Sequence, residues 1–133
     1  MPFALNPFSW GGVVETQSFY AEVPIDSRST DIDQLNRAQI FYKPAQTPVT
    51  LAAKRSPLGR VYLDWARFPL VETETRPASA GADHAVQFRD LRFDYLGNFL
   101  SQPNGRRPLS AEVVLDRNLH VVVMRVGDRE QKP

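Results

Sequence analysis

Two helix starts, each marked by a capping residue and a proline, follow one another in the middle of this chain and constrain its fold most. The pairs are Thr47-Pro48 and Ser56-Pro57. A Thr or Ser oxygen accepts a hydrogen bond from an unpaired N–H at a helix start, and proline has no N–H to leave unpaired there. Because the residue before a proline is pushed away from helical geometry, Pro57 interrupts the helix. The sequence therefore predicts one kinked or two-part helix that ends at Pro69.

The second part of this helix carries an apolar stripe. Its members recur at helical spacing: Leu58, Val61, Tyr62, Trp65 and Phe68. A helix with such a stripe buries it against another element of the protein. Strand signals flank the helix in the sequence, so we expect the stripe to cover a sheet, with Trp65 largely buried in the middle of the stripe.

Six segments favour β-strands, because apolar, β-branched and aromatic residues alternate in them between proline, glycine and polar breaks. They are residues 13–23, 38–43, 70–75, 84–95, 109–115 and 119–126. The apolar parity of the fourth segment changes at Arg89 and Asp90, which predicts a β-bulge or a sharp bend there. The last two segments form a hairpin around Asn118. The predicted fold class is α+β, with an antiparallel, bent sheet of about five to six strands packed on one kinked or two-part helix.

The length of 133 residues corresponds to one domain with a connector and a tail. Two early prolines predict an extended connector over residues 1–10, and Gly11 with Gly12 predicts a sharp turn after it. A single α+β domain is expected over residues 11–127, followed by a charged, flexible tail over residues 128–133. Within the domain, residues 25–37 are polar and predict a loop with one short helical turn.

The charge balance and composition exclude several classes of protein. Sixteen Lys and Arg oppose fifteen Asp and Glu, and the signs alternate along the chain, so a nucleic-acid-binding protein with a clustered basic face is not expected. The absence of cysteine excludes disulfides and zinc–thiolate sites. No apolar run approaches the roughly 18 to 20 residues of a membrane helix, so we expect a soluble chain without a membrane span.

The sequence contains no motif that specifies a reaction. His84 and His120 are isolated and lack the spacing of a histidine-rich metal centre. The glycines form no phosphate-binding loop, and no serine lies in a GxSxG elbow. We therefore expect no metal site, no cofactor and no catalytic residue among these residues.

An excess of aromatic residues leaves one candidate binding site, an aromatic-lined pocket between the helix and the sheet. The candidate ligand-binding residues are Tyr62, Trp65, Phe93, Asp90, Asp94 and His84. The alternative is that the rings fill an ordinary core while the charged groups form surface pairs, which is the more common use of such residues. Both interpretations stay open at the level of sequence.

Three segments resemble a known bacterial family: NPFSWGGVVET, TPVTLAAKRSPLGRVYLDWARFP and QFRDLRFDY. Together they are similar to the soluble C-terminal domain of inner-membrane-bound predicted metal-dependent hydrolases. The histidine motifs behind the hydrolase label lie in the N-terminal, membrane-embedded half of that family. Nothing in these residues matches those motifs, so the resemblance assigns no catalytic residue. It implies a domain tethered to the bacterial inner membrane, with the membrane-embedded part of the same protein as its partner.

Two functional hypotheses follow. The first, implied by the resemblance, is a noncatalytic accessory or partner-binding domain of a membrane-bound metal-dependent hydrolase. The second is a stand-alone small ligand-binding module or enzyme that uses the aromatic-lined pocket. A cavity lined by Tyr62, Trp65 and Phe93, with a carboxylate inside, would favour the second hypothesis.

Overall fold

A computed structural model of the chain describes residues 2–3, 6–30, 34–79, 82–93 and 109–133. Within these ranges the chain has two α-helices and two antiparallel sheets, so it is an α+β protein, as the sequence predicts. The chain separates into two compact units, Met1–Lys43 and Pro44–Pro133.

The first unit is built around a four-stranded antiparallel sheet. Its strands follow in chain order: β1 Pro2–Phe3, β2 Asn6–Glu15, β3 Phe19–Asp26 and β4 Gln39–Tyr42, with a 3-10 helix, Gln34–Arg37, before β4. Strand β4 and the short helical turn lie where the sequence predicts them. Strand β2 begins at Asn6, within the segment that was predicted to be an extended connector.

The predicted single strand over residues 13–23 is a hairpin, so that prediction was wrong. The chain reverses at residues 16–18, where the Thr16 hydroxyl accepts from the Phe19 N–H at 3.0 Å and donates to the Phe19 carbonyl at 2.8 Å. A short polar side chain that bonds to the backbone three residues away provides a turn without glycine or proline.

The predicted turn at Gly11 and Gly12 was also wrong. Both glycines lie inside β2, opposite Pro24 and Val23 of β3. Glycine permits a turn but does not require one, and here the strand pairing continues on both sides of the two residues.

The second unit contains the helices and a five-stranded antiparallel sheet. Its helices are α1 Pro48–Arg55 and α2 Pro57–Trp65, and its strands are β5 Pro69–Ser79, β6 Ala82–Asp90, β7 Ala111–Leu115, β8 Val121–Val126 and β9 Arg129–Gln131, in that spatial order. Helix α1 lies over β5, β6 and β7, and α2 lies over β7. The side chains buried most completely are Phe88, Leu70, Leu91, Leu115, Val86 and Val113. The predicted packing of an antiparallel sheet on a two-part helix is confirmed.

The break between the helices is made by Ser56. Its backbone is extended, and its hydroxyl accepts from the Gly59 N–H at 3.0 Å while donating to the Ala53 carbonyl at 2.6 Å. One side chain therefore caps the end of α1 and the start of α2. Gly59 is required at this elbow, because a Cβ there would collide with the carbonyl oxygen of Ala53.

The apolar stripe of α2 is only partly buried. Tyr62 packs on Phe88 with ring centroids 5.8 Å apart and donates from its hydroxyl to the Leu109 carbonyl at 2.9 Å. By contrast, Val61 is 68% exposed and Trp65 is 48% exposed, so the predicted burial of Trp65 was wrong. Trp65 is the last residue of the nine-residue helix, and its ring stacks on Phe93, which follows the end of β6.

The sequence predicts a β-bulge or a sharp bend at Arg89 and Asp90 within a strand over residues 84–95, whereas the strand ends at Asp90. Pairing between β5 and β6 is continuous up to Asp90, and a 3-10 helix, Leu91–Phe93, follows directly. The apolar parity changes because the chain leaves the sheet at that point, and the pairing from His84 to Asp90 has no bulge.

The charged segment predicted as a flexible tail supplies strand β9. A two-residue loop of Gly127 and Asp128 connects β8 to β9, and Gly127 has a positive φ of 54°. Gly-Asp is a recognised two-residue hairpin pair, since glycine adopts positive φ without strain. Arg125 and Glu130 then join the two strands through an ion pair at 2.9 Å.

Candidate functional site

Four of the six predicted ligand-binding residues meet where α2 ends beside the end of β6. The rings of Trp65 and Phe93 stack with centroids 5.6 Å apart, and Tyr62 meets Trp65 edge-on at 5.6 Å. Asp90 lies at the same place, together with Arg92, which the sequence did not single out. We call Tyr62, Trp65, Asp90, Arg92 and Phe93 the aromatic–arginine cluster.

The two other predicted residues are not part of this cluster. His84 is on β6 six residues before Asp90, which is about 20 Å in an extended strand, so the two side chains do not act at one site. Asp94 lies outside the described residues.

Asp90 is a buried carboxylate that is held by hydrogen bonds from two neighbouring segments. Its side chain is 0% exposed and accepts from the Arg67 N–H at 2.7 Å and from the Arg92 N–H at 3.0 Å. It also accepts from Nε of Arg92 at 2.9 Å and from Nη2 of Arg92 at 2.7 Å. Burial by itself raises the pKa of Asp90, but the hydrogen bonds from Arg92 and Arg67 outweigh it and hold the pKa below its ordinary value of 3.8.

Arg92 links this carboxylate to the aromatic rings. Its guanidinium lies 5.2 Å from the Trp65 ring centroid and 5.1 Å from that of Phe93, and Nη2 donates to the Trp65 carbonyl at 3.4 Å. A carboxylate accepts about four hydrogen bonds, and Asp90 already accepts four within the chain. The cluster therefore fixes the C-terminal end of α2 to the end of β6, and its charges are committed to that contact.

Other carboxylates of the second unit are also committed to structure. Asp116 accepts from the backbone N–H groups of Asn118 and His120 and shapes the loop between β7 and β8. Arg125 donates to Glu112 at 2.7 Å and to Glu130 at 2.9 Å, and these bonds raise its pKa. Within the described ranges, no three His, Asp or Glu side chains come together in the way that a metal site requires.

A groove beside α2 is one apolar surface of the second unit. It encloses about 870 Å³, and its lining comprises Pro57, Leu58, Val61, Val121, Met124, Val126, Arg129, Glu130, Gln131 and Pro133. The strongly exposed Val61 lies in this groove. Its apolar lining comes from α2 and β8, and its polar lining comes from the edge strand β9.

The four-stranded sheet of the first unit has a face without charged side chains. Residues that pair across antiparallel strands point to the same face, and alternate residues along a strand share it. The register therefore defines what we call the apolar face, which consists of Phe8, Trp10, Gly12, Val14, Phe19, Ala21, Val23, Ile25, Ile40 and Tyr42. The opposite face carries Glu15, Glu22 and Asp26.

Contacts between side chains support this assignment. Phe19 and Tyr42 meet edge-on with ring centroids 6.1 Å apart, and the Cδ1 atom of Ile25 fills the space above Gly12. At the rim, the guanidinium of Arg28 lies 4.9 Å from the Phe8 ring centroid.

Six large members of the apolar face are exposed. They range from 37% exposure for Ile25 to 72% for Tyr42, and the others are Phe8, Trp10, Val14 and Ile40. The sequence predicts a single strand over residues 13–23, whereas the apolar face is assembled from the two strands of a hairpin. The strand pairing that assembles the face is not visible in the sequence.

Comparisons with known proteins assign no family and no function to these sites. No protein-family model matches the sequence, and no curated protein or solved structure is significantly similar to it. Neither helix of the described chain has the length and hydropathy needed to cross a bilayer.

Proposed function

We propose that this chain is a noncatalytic domain that binds a protein partner. The observation that carries the proposal is the apolar face of the first unit. Large exposed aromatic and aliphatic side chains on a face that itself carries no charged side chain are typical of the centre of protein–protein interfaces. Trp and Tyr, both present on this face, supply much of the binding energy in such interfaces.

The aromatic–arginine cluster supports a noncatalytic role. A general base must be free to accept a proton from a substrate, whereas Asp90 is buried and receives four hydrogen bonds from its own chain. Tyr62 is buried against Phe88 and does not line an open pocket. These contacts favour the partner-binding hypothesis over an enzyme that uses this cluster.

The resemblance to membrane-bound metal-dependent hydrolases gives the proposal a context. In that context the domain is an accessory part of a larger protein at the bacterial inner membrane, and the metal chemistry belongs to the membrane-embedded part. The domain itself would supply binding and not catalysis.

Photocrosslinking tests the proposal in the source organism. We replace Tyr42 with p-benzoylphenylalanine, which reacts on illumination with whatever lies against the apolar face. The matched control carries the same residue at Gln39, which is also exposed and lies on β4 but points to the opposite face. We expect a crosslinked protein from position 42 and little or none from position 39, with the partner identified by mass spectrometry.

Two outcomes would contradict the proposal. A lack of crosslinked protein at position 42 would mean that the apolar face has no bound partner in the cell. Equal crosslinking from both positions would mean that the contacts are not specific to this face.

A further inference from the structure

We propose that the partner of the apolar face is a second copy of this chain, so that two copies pack their four-stranded sheets face to face. This inference rests on the proposed function, because it names the protein that the apolar face binds. Three properties of the apolar face support it: its exposed area, its lack of charged side chains and the relief of its surface.

The exposed area is of the size that a modest dimer needs. A fully exposed large side chain presents on the order of 200 Å², so six side chains exposed by about half present roughly 600 Å². That equals the largest apolar patches on ordinary monomers. Stable interfaces bury about 800 Å² per partner, and rim residues such as Arg28 add to the area of the face. We therefore expect a dimer with a micromolar Kd.

The charge distribution permits a self-contact. In a two-fold dimer the same patch meets itself, so any charge near its centre would face an identical charge. The apolar face contains no Asp, Glu, Lys or Arg among its described members. The opposite face carries Glu15, Glu22 and Asp26, so a self-contact there would bury charged groups.

The relief of the face also suits a second sheet. Ala21 is a small residue between Val14 and Ile40, its partners on the two neighbouring strands. In packed sheets about 10 Å apart, the inner side chains of one sheet interdigitate with those of the other. Two copies related by a two-fold axis place a large side chain of each copy against the low position at Ala21 of its partner.

Sedimentation equilibrium of the full chain tests the inference. We measure the mass across roughly 1 to 300 µM, a range that brackets a micromolar Kd. Wild type should change from monomer to dimer within this range. Ile40→Lys places a charge within the self-contact, beside Ala21, and should raise the Kd at least about tenfold, since like charges that meet at an interface are unfavourable.

Gln39→Lys is the matched control. It introduces the same side chain at the neighbouring exposed position of β4, on the opposite face, so the dimer should keep the wild-type Kd. If Ile40→Lys fails to fold, Tyr42→Ser provides a second variant at the most exposed position of the face. Circular dichroism establishes that each variant is folded.

The sedimentation and crosslinking results together distinguish a failure of the dimer from a failure of the proposed partner binding. A wild-type chain that stays monomeric at every concentration overturns the dimer, and so does a dimer that both lysine variants weaken equally. If the chain is monomeric but position 42 still crosslinks to a different protein, the apolar face binds a partner that is not its own copy. Such a partner includes the membrane-embedded protein that the resemblance implies.

Discussion

Asp90 is a single residue that holds three segments together. It joins the loop after α2, the end of β6 and the 3-10 helix through its bonds to Arg67 and Arg92. Asp90→Asn removes the charge but keeps the size of the side chain. We expect a loss of about 2 to 3 kcal/mol in the free energy of unfolding at neutral pH, because hydrogen bonds to a charged group contribute more than neutral ones.

The effect of Asp90→Asn should depend on pH. The folded pKa of Asp90 is lowered, so its stabilisation is complete above the unfolded pKa of about 3.9 and is lost as the pH falls through the folded value. The difference between wild type and variant should therefore shrink below about pH 4. Urea unfolding from pH 7 downward measures it. Asp26→Asn, at an exposed carboxylate bonded to Arg28, should have a much smaller effect at pH 7.

Three neighbouring residues of α2 should respond differently to truncation. Tyr62→Ala should lower the free energy of unfolding by about 3 to 5 kcal/mol, because the ring is buried against the sheet. Trp65→Ala should cost about 1 to 2 kcal/mol, since the residue is half exposed and loses its ring contacts with Tyr62, Phe93 and Arg92.

Val61→Ala is the control for this helix face. Val61 is largely exposed, so the change should stay within about 0.5 kcal/mol. Urea unfolding of the three variants checks the order, and an equal cost for Tyr62 and Trp65 would contradict the difference in burial described here.

For single residues, the sequence predicted which side chains share one face of a helix but not how deeply each of them is buried. Helical spacing placed Tyr62 and Trp65 on one stripe, but the depth at which each side chain is buried depends on strands that are distant in sequence. The role of Asp90 had a local signal, an aspartate two residues before an arginine where the strand parity changes. The bond to Arg67 had none, because it joins residues 23 positions apart.

The elbow between α1 and α2 is the element that most depends on one small residue. Gly59→Ala places a Cβ against the backbone carbonyl of Ala53, which cannot rotate away, so α2 must shift relative to α1. We expect a cost of about 2 to 3 kcal/mol, as for other overpacked positions. Circular dichroism during urea unfolding gives the value.

Gly12→Ala is the matched substitution in β2. The new Cβ would lie 2.9 Å from Cδ1 of Ile25, which is the far end of a flexible side chain and can move to another rotamer. The cost should stay below about 1 kcal/mol. If both glycine variants are equally stable, the elbow is less constrained than its geometry indicates.

Helices and hairpins that begin or turn at a clear local sequence pattern were predicted, whereas hairpins whose turn residues are not distinctive in the sequence were missed. The capped prolines specified both helices, and Asp116 to Asn118 specified the hairpin of β7 and β8. The hairpin of β2 and β3 was missed because Gly11 and Gly12 gave a stronger turn signal than Thr16. The hairpin to β9 was missed because charged residues masked the turn at Gly127 and Asp128.

At the scale of the whole molecule, the fold class was predictable and the division into two units was not. The apolar periodicity indicates most of the strand segments, so the α+β class and the sheet packed on the helices follow from it. Periodicity does not specify which strands share a sheet. The sequence therefore predicted one sheet, whereas the strands before Lys43 form a sheet of their own.

The two tryptophans of the chain lie one in each compact unit, Trp10 in the first and Trp65 in the second. Each unit therefore carries its own intrinsic fluorophore. In a Trp10→Phe chain the indole emission reports only on the second unit, and in a Trp65→Phe chain it reports only on the first. Comparison of the two melting curves reveals whether the units lose their structure together or in succession, without an added label.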